Sequence, residues 1–248
     1  MLLALLSNRS ANKLEYIIQN VDGRKQPIYL TATMTLLYIN GNGDLLDKRK
    51  LKYWRHWRGF NAESVMIRFI NPEDVRNTTF LSITEQKKNK QLIFLPALGR
   101  THHVKKVNQM SYFMNSDFFY SDLRTWELAK NHNRLIYENN DHYFIESVFK
   151  NLFVNQRLIL KVSKETYFIS EVEYFKQGCD LPSRKMIASQ IKQESGILMA
   201  THIRMVSFKK CSRDIKSSSE IILEKWDTST SIDKVVFSET FMQSIDNL

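Results

Sequence analysis

Apolar positions near the start of the chain repeat with a helical period. Leu14, Ile17, Ile18 and Val21 fall at i, i+3, i+4 and i+7, and Gly23 supplies a stop. From about residue 31 the period changes to two. Residues 31–40 are β-branched and apolar, with Met34, Leu36 and Tyr38 on one face, and Asn40-Gly-Asn-Gly43 is a hairpin turn because Asn and Gly accept a positive φ. Residues 45–57 return as a long strand. In 64–70, Val65, Ile67 and Phe69 alternate with Ser64, Met66 and Arg68, and Asn71-Pro72 ends the run because proline cannot donate to a ladder. Further strands are predicted at 90–95, 142–150, 166–175, 184–191, 196–208 and 219–226, with a hairpin turn at Gln177-Gly178-Cys179-Asp180. The polar, weakly patterned stretch 121–141 reads as a long loop or short helices. A terminal helix from about Ser238 places Phe237, Phe241 and Ile245 on one side.

This gives nine to eleven strands, many joined by short links. Strands with such links are antiparallel, because parallel neighbours need a long crossover. The expected fold class is mainly β (α+β): one large curved antiparallel sheet around an apolar interior, closed by one or more helices. No repeat or linker divides the 248 residues, so a single domain, 1–248, is expected. Met1-Leu-Leu-Ala-Leu-Leu6 has no basic segment before it and no A-x-A site after it. Residues 1–12 therefore read either as a signal-peptide remnant or as an N-terminal extension that joins the first helix.

Composition narrows the chemistry. The formal charge is +10, with 43% hydrophobic residues, so the chain is basic but globular. Seven glycines leave little room for a phosphate-cradling loop. Cys179 and Cys211 do not have zinc spacing; they are two thiols or one disulfide. His102 and His103 are adjacent, so on a strand they face opposite sides and cannot share an ion. His56, His132, His142 and His202 show no ligand spacing either, and no metal or cofactor is expected. Asp117 and Asp122 could be paired carboxylates, but an Asp after a Ser at a turn is more often a cap. No nucleophile elbow, zinc-protease or P-loop motif occurs, so no catalytic residue is expected.

The sharpest charge feature is Lys48-Arg-Lys-Leu-Lys-Tyr-Trp-Arg-His-Trp-Arg58. Basic residues interleaved with aromatics could grip phosphates and stack on bases, which gives the alternative of a nucleic-acid-binding protein. Strand alternation instead puts Leu51, Tyr53 and Trp57 on one face and Lys50, Lys52, Trp54 and His56 on the other. That is the pattern of a half-buried strand with a solvated face, and nucleic acid is not the expected partner.

Three segments carry a family resemblance. They are Ile67-Arg-Phe-Ile-Asn-Pro-Glu-Asp-Val-Arg-Asn-Thr-Thr-Phe-Leu81, Leu92-Ile-Phe-Leu-Pro-Ala-Leu-Gly-Arg100 and Ser111-Tyr-Phe-Met-Asn-Ser-Asp-Phe-Phe-Tyr-Ser-Asp-Leu123. In that order and spacing they resemble the outer-membrane lipoprotein-sorting protein domain, a group similar to the periplasmic lipoprotein carrier LolA. Asn115 stands where that pattern has a glycine, Leu92 where an aromatic is common, and His102 and His103 among positions that are often Arg. The resemblance implies a half-open β-barrel closed by helices and an apolar cavity for lipid or lipoprotein acyl chains. It also implies a periplasmic location, often with inner-membrane transporters of the resistance-nodulation-division (RND) type, and a carrier rather than an enzyme. Alternation nominates Met34, Leu36, Val65, Ile67, Phe69, Met199, Ile203 and Met205 as cavity-lining residues.

Overall fold

The structure is a computed structural model describing residues 2–86, 88–105, 110–125, 127–150 and 155–244. Helix α1 (Leu2–Asp22) precedes a first run of strands: β1 (Tyr29–Asn40), β2 (Leu45–Trp57), β3 (Ala62–Asn71), β4 (Thr79–Glu85), β5 (Lys88–Leu95) and β6 (Arg100–His103). A stretch of short 3-10 turns follows. The second run is β7 (His132–Glu138), β8 (His142–Lys150), β9 (Asn155–Ser163), β10 (Ile169–Phe175), β11 (Pro182–Glu194), β12 (Ile197–Phe208) and β13 (Ile215–Asp227), and α2 (Glu239–Gln243) comes last. The strand order is β6-β5-β4-β3-β2-β1-β13-β12-β11-β10-β9-β8-β7. The fold is thus mainly β, as expected, and the sheet does not close, since β6 and β7 are both edges.

Four strands exceed the expectation. In β4, Thr79, Phe80, Leu81 and Ser82 are all buried, so there is no polar alternation to find. β6 is four residues long. β7 replaces the end of the loop expected at 121–141; its Ile136 and Tyr137 are exposed on an edge strand, which blurs the pattern. In β9 the alternation of Leu158, Leu160 and Val162 with Arg157 and Lys161 is present and legible. The hairpin turn after β1 forms as read. Gly43 has φ 95°, and Asn40 Oδ1 accepts from the Asn42 and Asp44 amides at 2.9 Å each.

The chain clusters into two compact units, residues 26–125 with 217–248 and residues 1–25 with 126–216. In the first, both sides of the sheet are covered. On one side Met66, Leu81, Leu92 and Phe94 pack with Ile232, Phe237 and Met242 from the C-terminal segment. Arg68 is buried there, donates to the Phe241 carbonyl and lies 4.8 Å from the Phe241 ring. The terminal helix α2 starts about where expected, with Ser238 as its cap, Oγ accepting from the Phe241 amide, while Ile245 lies outside the described residues. This double coverage makes β3 buried from Glu63 to Phe69.

In the second unit, Ile17, Ile18 and Val21 of α1 are buried, and the helix packs on β7 and the turn at Leu128–Lys130. It ends as its sequence demands: the Gly23 amide bonds to Gln19 O, and a Cβ on residue 23 would come within 2.7 Å of that oxygen. Asp22 fastens the end of α1, accepting from the Leu128 and Ala129 amides at 2.9 and 2.8 Å. Cys179, in the β10–β11 turn, is disulfide-bonded to Cys211, in the β12–β13 loop, which resolves the alternatives the sequence left open.

Candidate functional site

Register places the nominated residues. In an antiparallel sheet, directly opposed residues point to the same side. In the unit formed by 26–125 and 217–248, Met34 opposes Leu51, which opposes Phe69. The next row runs Ala32, Tyr53, Ile67, Phe80 and Ile93 across five strands. Leu36 and Val65 lie on the same side, opposite Arg49 and Arg55. All five nominated residues of this unit are buried, with Phe69 at 0% exposure.

What covers this side is the 110–125 segment. Phe113 sits 6.0 Å from the Phe69 ring and 5.5 Å from Phe80, and Tyr120 is 5.5 Å from Phe80. The Met114 carbonyl accepts from Tyr38 Oη at 3.0 Å and from Arg49 at 3.3 Å. Burial raises the Tyr38 pKa, so the hydroxyl stays protonated and able to donate. Asp117 accepts from the Ser217 and Ser219 hydroxyls of β13 at 2.6 and 2.9 Å. Asp122 accepts from the Phe119 amide at 2.7 Å, as a cap does. Each aspartate thus helps to fasten the segment, Asp117 to β13 and Asp122 within its own turn.

A buried ion pair lies on the same side. Arg55 Nε donates to Glu63 Oε1 at 2.6 Å, and Arg55 also donates to Thr125 Oγ1 and Gln26 Oε1. Glu63 in turn accepts from the Thr125 amide and hydroxyl. Both side chains are nine-tenths or more buried, and each has several partners, the condition under which a buried pair is tolerated.

The basic stretch 48–58 thus divides by alternation. Arg49 and Arg55 are committed to the covered side. Lys48, Lys50 and Lys52 take the other, where His56 is buried with its ring stacked on Tyr29 at 4.5 Å. Such a division removes both arginines from any nucleic-acid surface on that strand. His102 opposes Ile93 and His103 opposes Leu92, so the pair faces opposite sides as read. No cluster of three metal-ligating side chains occurs among the described residues.

The other unit presents one uninterrupted apolar row. Leu135, Ile145, Leu160, Val172, Met186 and Met205 oppose one another across six strands. Ile145, Leu160, Val172 and Met205 are buried. Ile203 and Met199, further along β12, are half-buried. The neighbouring row is more polar: Asn133, Ser147, Leu158, Tyr174, Arg184 and Ser207. Arg184 is 2% exposed and lies 4.5 Å from the Tyr174 ring. The reverse side is charged: Glu146 bridges Arg134 and Arg157 at 2.9 and 2.7 Å, and Glu171 bridges Lys161 and Lys185.

The sequence marks the apolar side chains and Asp117, but not Glu63, nor the partners that Arg49, Arg55 and Asp117 meet. Those contacts depend on strand register and on the path of the 110–125 segment, which no local pattern announces.

Solved structures with lipoprotein-sorting and LolA-superfamily names share this fold. The structure superposes on an outer membrane lipoprotein-sorting protein domain from Vibrio parahaemolyticus with a TM-score of 0.82 at 19% identity, covering 92% of this chain and 97% of that one. A DUF1329 family protein from Desulfovibrio piger gives a TM-score of 0.80 at 19% identity, with 91% and 96% covered. A LolA superfamily protein from Nitrosomonas europaea gives 0.67 at 12% identity, with 92% and 98% covered. A search of curated proteins returns no match. Residues 61–244 match a family profile described as "Uncharacterized protein", and the chain belongs to that family.

Proposed function

We propose that the chain is a non-enzymatic carrier that holds lipid or lipoprotein acyl chains against its apolar strand faces, acting as one lipoprotein-sorting-like domain over residues 1–248. The observation that carries the reading is the six-strand row from Leu135 to Met205, which has no polar side chain in it. Five interstrand steps of about 4.8 Å make it roughly 24 Å long, the order of an extended membrane acyl chain. Each methylene moved from water to such a surface contributes ~0.8 kcal/mol, so affinity needs no polar chemistry. Methionines at 186, 199 and 205 add side chains that adapt to variable ligands. In the other unit, Met34, Leu36, Val65, Ile67 and Phe69 line the second face, with the 110–125 segment lying on them. The solved structures of the same fold include a lipoprotein-sorting domain, which supports the reading.

The Cys179–Cys211 disulfide favours an oxidising compartment, and the periplasm is the location proposed. Among the described residues, no helix is long and apolar enough to cross a membrane. An RND-type transporter in the inner membrane is the partner that the family resemblance suggests. Native mass spectrometry of protein purified from its own host, followed by organic extraction, tests the ligand. Extracted acyl lipid at near-stoichiometric amounts is the expected result. Protein that carries no lipid, and takes up none when incubated with host lipid extract, contradicts it.

A further inference from the structure

β1 lies between β2 and β13, and register sets two rows of side chains on the side opposite Met34 and Phe69. Lys52, Thr33 and Lys225 form one row; Trp54, Thr31 and Asp227 form the next. With about 4.8 Å between strands and about 3.4 Å per residue, the lysine backbones stand roughly 10 Å apart with Thr33 midway, and the rows roughly 7 Å apart. These six residues, with Ala32, Tyr53 and Trp226, line an open pocket of about 370 Å³. That volume suits a small ligand.

A β-bulge shapes the rim of this pocket. Pairing of β1 with β13 skips Glu224, and Glu224 accepts from Thr35 Oγ1 and pairs with Lys50 at 3.5 Å. Lys50 is thereby neutralised. Lys52 and Lys225 make no ion pair among the described residues, so two uncompensated ammonium groups flank one hydroxyl. The second row has the opposite character. Asp227 accepts from the Ser229 hydroxyl and amide at 2.6 and 2.8 Å, bonds that hold its carboxyl below the usual carboxylate range. Trp54, held edge-to-face by Phe241 at 6.0 Å, puts an indole beside it.

We propose that this pocket binds a phosphoester with a short cationic arm, of the phosphocholine or phosphoethanolamine kind. Lys52 and Lys225 bracket the phosphate and Thr33 donates to it, as lysine suits a phosphate read as a point charge. The ammonium arm meets the Trp54 face and the Asp227 carboxylate, one row away. The chemistry is the same for a phospholipid headgroup and for a free phosphoester. The site stands apart from the acyl-carrier reading, since its charged groups point away from Phe69 and Met34.

Isothermal titration of the full chain with phosphocholine, inorganic phosphate and choline tests it, beside flotation with phosphatidylcholine vesicles. Phosphocholine is expected to bind tighter than either fragment. Lys52→Ala with Lys225→Ala weakens it about tenfold or more, the size of one or two charge-assisted hydrogen bonds. Asp227→Asn brings the preference for phosphocholine over phosphate close to one. Circular dichroism establishes that the variants are folded. Vesicle flotation that needs both lysines assigns the site to a lipid headgroup; soluble binding without flotation assigns it to a free phosphoester, and both support the proposal. No binding of any probe, phosphate binding as well as phosphocholine, or binding indifferent to the lysine pair overturns it. A fluorescent fatty acid titrated into the same samples reads the carrier function separately, so either idea can fail alone.

Discussion

Phe69 has no exposed surface, and its ring lies under Phe113 and 5.9 Å from the Arg49 guanidinium. Phe69→Ala removes a ring from a close-packed site and is expected to cost about 3–5 kcal/mol in urea unfolding. A loss under about 1 kcal/mol would show that the 110–125 segment does not pack there in solution. Arg55 gives a second expectation. Arg55→Met leaves Glu63 buried with a charge and fewer partners, and costs about 3–5 kcal/mol, whereas adding Glu63→Met to it recovers part of that loss. Equal destabilisation by the single and double variants would contradict a coupled pair. At this scale the sequence shows which side chains are apolar and which face each takes. Strand alternation located Met34, Val65 and Phe69 without a structure. It could not show Arg55 meeting Glu63, because that contact depends on the β2–β3 register, in which Trp57 opposes Glu63 and Arg55 opposes Val65.

Elements are stabilised where strands share charges or a covalent link. Glu146 joins β7, β8 and β9 through Arg134 and Arg157. Hydrogen bonds from Arg157 first, and then Arg134, hold its carboxyl below the usual carboxylate range. A carboxyl lowered on folding stabilises the native state fully above its unfolded pKa of about 4.3, and that contribution is lost as pH falls through the folded value. Stability measured from pH 6 down to pH 3 is therefore expected to fall less steeply in Glu146→Gln than in the wild type. Parallel slopes would contradict the bridge. The disulfide closes a loop with a sequence separation of 32. In the chain-entropy model it contributes about 3–4 kcal/mol, so Cys179→Ser with Cys211→Ser is expected to lower the urea midpoint accordingly. An unchanged midpoint would mean that the loop is already constrained in the unfolded chain. Elements whose sides differ in polarity, such as β1 and β2, were legible in the sequence. β4 was not, because tertiary cover on both sides removes the polar alternation that marks a strand.

For the molecule as a whole, the fold was accessible at two levels. Short links implied antiparallel strands, and the motifs around Phe69, Leu95-Pro96 and Phe113 resembled a lipoprotein-sorting domain whose fold the structure shares. The division into two compact units was not accessible, since each is assembled from two distant stretches of chain. The carrier proposal rests on apolar strand faces taking up an acyl chain without help from charge. The most direct test is a titration of the folded protein with an environment-sensitive fluorescent fatty acid, in low salt and again near 1 M salt. Saturable, blue-shifted binding that unlabelled fatty acid displaces is expected, with an affinity that changes little between the two conditions. A probe that never leaves water, or binding that collapses as salt rises in the manner of a phosphate-gripping surface, would contradict it.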